Sequence, residues 1–506
     1  VTDKLAVRAG SAFLWQGIQH FGVKAIYLVR IPILARLLVP DDFGLMAIAI
    51  VAVGLLMQVT DFGMVPALVQ RAGADDRHYD AAWTVGVLRA LAVSVVVFIG
   101  APLIARVFSE PRATGIIQVL ALRPLIQATA SIRVADLTRN LRFAGISALN
   151  LTEAVANAVL SITLAPFIGV WALVVGSLAG PACYSILSYV MVPTRPRLAV
   201  HTQAATSLLL FGRWIFLTGI VAMAGNAALN AVISRRLGTV ELGLYFLSAR
   251  IAFLPTELAS ELVGGVAFPF YARIQADSDK ARRAFRVLLV SSAALLLPTV
   301  ALLVALAPSL VEEILGPGWQ GAAPIIRVIS VASGLGLFVN SAAPIFKGVG
   351  YPSRITAFRA VQSAVLVALA WSLSSRFGVV GAASAWVPAA TSAMIVGGAM
   401  LVRLFPGILS DLLVPIASVL AVSAVGGGAA IALDETIGGL AGLFVGGIVA
   451  GGLVASLLWR VDRAVDLNLR LIVGNVLPAA SGMFGRTQEG VKTDGTDPSI
   501  SKRERS

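Results

Sequence analysis

Charge is scarce in this sequence: only 13% of its 506 residues are Asp, Glu, Lys or Arg, roughly half the share of an ordinary soluble domain. With 58% of the chain hydrophobic, a water-soluble globule is excluded, because there is too little polar surface to cover so much apolar material. Cysteine occurs once, at Cys183, which excludes a disulfide framework. Histidine occurs three times, at His20, His78 and His201, with no second ligand at metal spacing, so neither a metal site nor a cofactor is expected. A Walker loop, a His-Glu-x-x-His helix, a complete Gly-x-Gly-x-x-Gly and a nucleophile elbow are all missing. The chain is therefore expected not to be an enzyme, and no catalytic residue is assigned.

What is present is a series of long apolar runs, and about twenty such residues span a bilayer. Read between charged or Pro/Gly breaks, they predict helices near 11–35, 43–70, 82–108, 113–132, 144–167 and 170–192, then 207–234, 241–270, 287–307, 322–346, 355–375 and 379–402, with a final pair near 412–433 and 438–459. The expected fold is an all-α integral membrane protein of about fourteen transmembrane helices. The first ten residues are polar, and the apolar stretch behind them is too long for a signal-peptide core, so the first helix is expected to stay as an anchor. Gly438, Gly442, Gly446, Gly447 and Gly451 on the last helix predict close approach by a neighbouring helix.

The formal charge of +13 is a topology signal rather than a sign of nucleic-acid binding. With the N-terminus placed in the cytoplasm and loops alternating, one side collects most of the cations, among them Lys4, Arg8, Arg71, Arg77, Arg133, Arg139, Arg142, Lys280, Arg282, Arg283 and the basic tail. The other side collects Arg36, Arg106, Arg112, Arg235, Arg236 and Arg376. This bias supports the helix count and predicts that both termini are cytoplasmic; the expected location is the inner membrane of a bacterium.

The sequence also repeats. A shift of 199 residues lays Arg36, Leu38, Asp42, Gly44 and Leu45 on Arg235, Leu237, Glu241, Gly243 and Leu244, and a shift of 209 lays Ile116, Ile117, Gly169 and Val170 on Ile325, Ile326, Gly378 and Val379. Two pseudo-symmetric six-helix lobes follow, in the same orientation and related by an axis along the membrane normal, as in many carriers. Expected boundaries are residues 1–200 for the first lobe, 201–405 for the second, 406–462 for the extra C-terminal pair and 463–506 for a cytoplasmic tail, disordered from about 481.

Some charges fall inside predicted helices. A cation at a helix centre costs about 2.5–3.5 kcal/mol, so it normally faces a wet cavity, a counter-ion or an anionic ligand. Lys24, Arg30 and Arg250 lie deepest and are the candidate substrate-binding residues. Arg213 and Arg123 are read as snorkelling near helix ends, and Arg89 and Arg327 fit either reading. Among the buried acids, Asp61, Glu257 and Glu261 are candidates for ion coupling or counter-charge, with Glu153 a further buried carboxylate. Glu257 and Glu261 share one helical face.

The run LARLLVPDDFGL at Leu34–Leu45, followed by DFGMVPALVQ at Asp61–Gln70, resembles the polysaccharide-exporting flippases of the multidrug/oligosaccharidyl-lipid/polysaccharide exporter superfamily. The resemblance extends through YFLSARIAFLP from Tyr245, GPGWQGAAPIIRVIS from Gly316 and GVVGAASAW from Gly378, covering roughly residues 10–400. It implies a two-lobed alternating-access carrier that moves a polyprenyl-diphosphate-linked oligosaccharide from the cytoplasmic to the periplasmic leaflet. It also implies cavity cations on the first and eighth helices for the diphosphate, the helices that carry Lys24, Arg30 and Arg250. Expected partners are the lipid-linked oligosaccharide, membrane lipids and the polymerase and assembly proteins of a polysaccharide pathway, with no nucleic acid. The rivals are a multidrug antiporter of the same superfamily, which more arginine than carboxylate opposes, and a membrane polymerase or ligase, for which no long outside loop is available.

Overall fold

In lipid each backbone N–H and C=O must find a partner inside its own segment, which favours helices wherever an apolar run crosses. The computed structural model describes residues 2–60, 76–140, 142–193, 213–273, 278–349 and 351–465, and helix is the dominant element with no strand among them. The helices are α1 (Thr2–Leu37), α2 (Pro40–Thr60), α3 (Asp76–Val107), α4 (Ala113–Leu120), α5 (Arg123–Ala128), α6 (Val134–Arg139), α7 (Phe143–Ile168) and α8 (Val170–Met191) in the first half. The second half holds α9 (Arg213–Leu237), α10 (Thr239–Arg273), α11 (Ser278–Ser309), α12 (Ala322–Gly348), α13 (Pro352–Ser384) and α14 (Trp386–Leu404), followed by the extra pair α15 (Ile408–Ile437) and α16 (Gly439–Val465). Twelve of the described helices are long and apolar enough to cross a membrane. The remaining two of the fourteen expected positions are α9, with 25 residues, and the short α4–α5 segment.

That short segment corrects the expected single helix at 113–132. Pro124 has no N–H to give to the carbonyl four residues back, so the ladder stops at Leu120 and a new helix starts at Arg123. Leu122 closes the gap with a tighter bond to the Val119 carbonyl, 3.1 Å. Prolines also lie inside α1, α3, α7, α8, α11, α12 and α15, a frequency that membrane helices tolerate.

The two halves repeat each other's packing. In the first, α1 lies on α7, α7 on α8, and α2 on α3 and α4; in the second, α9 lies on α13, α13 on α14, and α10 on α11 and α12. The backbone repeats too: Gly169, between α7 and α8, and Gly378, at a kink inside α13, hold φ of 56° and 60°, values that L side chains rarely adopt. The halves meet chiefly where α2 crosses α10 and α9. Gly44 and Gly243 make this crossing possible, since a Cβ on Gly44 would lie 2.0 Å from the Thr239 carbonyl oxygen and one on Gly243 would lie 1.7 Å from that of Pro40.

The glycine stripe of α16 packs on α15, with Gly442 beside the Asp434 carbonyl and Gly446 beside that of Ala430, whereas Gly451 faces open space. The pair is held to the second half through α11, which packs on both helices, and Ser309 donates a hydrogen bond to Asp434.

Candidate functional site between the two halves

At the end of the molecule that carries the α1–α2 and α9–α10 turns, the interface between the halves is dense. Phe43 meets Trp319 edge-on with ring centroids 5.1 Å apart, and Trp319 is buried, donating its indole N–H to the Ala35 carbonyl at 2.7 Å. The buried indole thus has both its apolar body and its polar edge satisfied. On the other side of the crossing, the Ser234 hydroxyl donates to the Phe108 carbonyl at 2.6 Å. Arg36 donates to the carbonyls of Glu313 and Ile314.

A polar cluster completes this closed end. Arg112 reaches both Asp41 oxygens, at 2.8 and 3.1 Å, and both Glu110 oxygens, at 2.7 and 3.0 Å. Thr239 of the other half donates to Asp41 at 2.6 Å. The Arg112 guanidinium holds the Glu110 carboxyl below its usual range, and Glu110, with Asp41, raises the guanidinium in return.

The deep charges lie away from that end. Lys24 on α1 forms an ion pair with Glu257 on α10, Nζ to Oε2 2.8 Å, so one candidate cation of the first half meets one candidate counter-charge of the second. Arg30 donates to the Ser161 hydroxyl at 3.1 Å, while its buried Nε has no hydrogen-bond partner. Arg250, an exposed residue, has its guanidinium 5.8 Å from the Phe246 ring centroid. Neither arginine forms an ion pair among the described residues.

Arg123 stands at the first position of α5, directly before Pro124. Arg89 donates to the Thr60 carbonyl at 3.0 Å, and Arg327 to that of Val304 at 3.0 Å. Asp61 lies outside the described residues, as does the side chain of Glu261. No group of His, Cys, Asp and Glu suited to a metal ion occurs among the described residues.

The polysaccharide biosynthesis protein family matches residues 33–324. Among curated relatives, the succinoglycan biosynthesis transport protein ExoT of Rhizobium meliloti is 24% identical over 337 residues, 66% of this chain and 68% of that protein. The lipopolysaccharide biosynthesis protein WzxC of Escherichia coli is 24% identical over 323 residues, 63% of this chain and 65% of that one. Among solved structures, the inward closed conformation of the lipid II flippase MurJ superposes with a TM-score of 0.72 at 14% identity, covering 88% of this chain and 99% of that one. An inward-facing multidrug resistance MATE family transporter superposes with a TM-score of 0.60 at 16% identity, covering 79% and 98%. These likenesses show the same two-lobed fold, and the chain belongs to the polysaccharide biosynthesis protein family, a multi-pass bacterial membrane exporter of the multidrug/oligosaccharidyl-lipid/polysaccharide superfamily.

Proposed function

We propose that this protein flips a polyprenyl-diphosphate-linked oligosaccharide from the cytoplasmic to the periplasmic leaflet of the inner membrane, with Arg30 and Arg250 as the main diphosphate ligands and Lys24 beside them. The observation that carries this reading is that Arg30, deep in α1, donates to the Ser161 hydroxyl while its buried Nε has no partner, and that neither it nor Arg250 of the opposite half is neutralised by a carboxylate among the described residues. Uncompensated charges in a span are costly to hold. A dense dianion would relieve that cost, since charge-assisted bonds to guanidinium replace the water that phosphate loses. The polyprenyl tail would remain in lipid while the headgroup crosses between the halves.

Lys24 takes a different part. Paired to Glu257 across the halves, it is a bridge that an arriving diphosphate would compete for, which couples substrate binding to lobe separation. In a cell negative inside, outward movement of anionic charge is downhill by about 2.3 kcal/mol per charge per 100 mV, and no nucleotide would be required. The names of the succinoglycan and lipopolysaccharide relatives support a saccharide cargo. The reading makes the protein a carrier with cytoplasmic termini, in which residues 1–200 and 201–405 move as lobes and the 406–462 pair rides with the second.

The test is complementation of a flippase-deficient strain, scored for surface polymer with membrane-protein level as control. Arg30→Gln and Arg250→Gln are expected to abolish polymer while the protein remains inserted, and Arg→Lys at either site to retain part, because a point charge lacks the bidentate fork. Full polymer in the double Gln variant would overturn the mechanism.

A further inference from the structure

A cavity inside the second half has an apolar wall of Ala259, Leu296, Leu337, Ala343 and Pro344, into which a few polar side chains are set. It has a volume of about 200 Å³, sits among α10, α11 and α12, and presents Thr256, Ser260, Ser292, Asn340, Ser341 and Lys347. Ser260 is one turn beyond Glu257 on α10, so the cavity adjoins the helical face that meets Lys24.

The hydrogen-bond inventory of this lining is one-sided. Thr256 is 9% exposed, and its hydroxyl is buried in the cavity wall with no partner, a costly state unless a ligand or water completes it. Asn340 accepts a hydrogen bond from Arg359 at 2.8 Å through its side-chain oxygen, which leaves the amide N–H groups as its free valence. Arg359 itself is held by amide oxygens, those of Asn340 and Gln362, and not by a carboxylate. Lys347 stands exposed at the mouth. Among the described lining residues there is no carboxylate. A pocket that offers an ammonium, an amide N–H group and hydroxyls, backed by a guanidinium without a counter-ion, is matched by an acceptor-rich anionic ligand.

We infer that this cavity is a binding site for a phosphate-type oxyanion, with Thr256, Asn340 and Lys347 as its donors and Arg359 as the residue that fixes the Asn340 amide. The oxyanion has two sources, free phosphate or the headgroup of an anionic lipid. The site is independent of the diphosphate reading, since Arg30 and Arg250 take no part in it.

Labelling of a single introduced thiol tests it in the full-length protein. With Cys183→Ser as background, Ser260→Cys is reacted with anionic sulfonatoethyl and cationic trimethylammonioethyl methanethiosulfonate, each rate divided by that of a small thiol in solution. The anionic reagent is expected to be favoured by about tenfold, the enrichment that a cationic cleft gives a counter-ion. Inorganic phosphate is expected to slow labelling saturably, and Lys347→Gln or Asn340→Asp to remove both effects. Arg30→Gln/Arg250→Gln should leave both in place, which separates this site from the one between the halves. Should Ser260→Cys fail to fold, Ala343→Cys on the opposite wall replaces it. Protection in nanodiscs containing phosphatidic acid, without added phosphate, identifies a lipid headgroup as the source, and protection by phosphate alone identifies the free anion. Equal normalised rates for the two reagents, or labelling that neither phosphate nor phosphatidic acid slows, would overturn the proposal.

Discussion

The two halves share a scaffold but not a charge pattern. At the 199-residue offset Gly44 corresponds to Gly243 and Arg36 to Arg235, and both glycines lie in the crossing. At the same offset Lys24 corresponds to Met223, Arg30 to Leu229, Arg250 to Val51 and Glu257 to Gln58. Leu229 and Val51 are buried apolar residues. Duplicated positions therefore hold helices against helices, whereas the deep charges are unique to one half or the other. A charge needs a partner of specific sign and place, and repeating it in both halves would set like against like across the axis. Structure is carried by what repeats and specificity by what does not.

The largest expected effect tests the repeated positions. Gly44→Ala and Gly243→Ala each place a Cβ against a backbone carbonyl that has nowhere to go. Each is expected to lower stability by about 1–3 kcal/mol, the usual cost of overpacking, read as a drop in the thermal midpoint of the purified protein. Gly86, where an added Cβ meets nothing within 4 Å, is the control, and Gly86→Ala should leave the midpoint unchanged. An equal loss at all three would mean that the crossing is not special.

A smaller effect is expected at the unrepeated pair. Lys24→Met, which installs the residue of the other half, strands Glu257, and Glu257→Gln removes the carboxylate that Lys24 meets on α10. The Glu257 side chain is 44% exposed, so the coupling energy in a double-mutant cycle should not exceed about 1 kcal/mol. Transport, not stability, should show the larger loss. A coupling near zero would remove Lys24 and Glu257 from the lobe-bridging role.

The smallest effect concerns the closed end. The folded-state carboxyl of Glu110 is held below its unfolded value by Arg112, so its contribution is present above the ordinary carboxylate range, near pH 4.3, and is lost as pH falls through the folded value. The thermal midpoint of the native protein should fall on acidification through that window by more than that of Glu110→Gln. Parallel curves would mean that the cluster contributes nothing to closure.

Much of the architecture was legible because bilayer thickness converts apolar length directly into helices. The glycine pairs Gly44/Gly243 and Gly169/Gly378 were visible as repeats before any crossing or bend was known. The fourth span was misread because hydropathy counts apolar residues without asking whether Pro124 can keep the ladder intact. At the site, Arg30 and Arg250 could be singled out by the cost of their position. The Lys24–Glu257 pairing is a contact over 233 residues of sequence, which periodicity along one helix does not encode. The cavity around Thr256 and Asn340 was hidden for a related reason: Ser, Thr and Asn in a membrane helix usually bond their own backbone, and what marks these residues is the absence of such a bond at Thr256 and the engagement of Asn340 by Arg359.

The hydrogen bonds at the closed end come as a reciprocal set. Ala35 and Ser234 occupy equivalent places at the ends of α1 and α9, and each is tied to the turn after the third helix of the opposite half, one through Trp319 and the other through Phe108. Because the two ties lie on either side of the same axis, rotation of one half away from the other must strain both at once. Releasing one alone recovers little freedom while the second still fixes the relative position of the halves. Any opening of this end would therefore have to break both ties together, since either one alone still holds the halves in register.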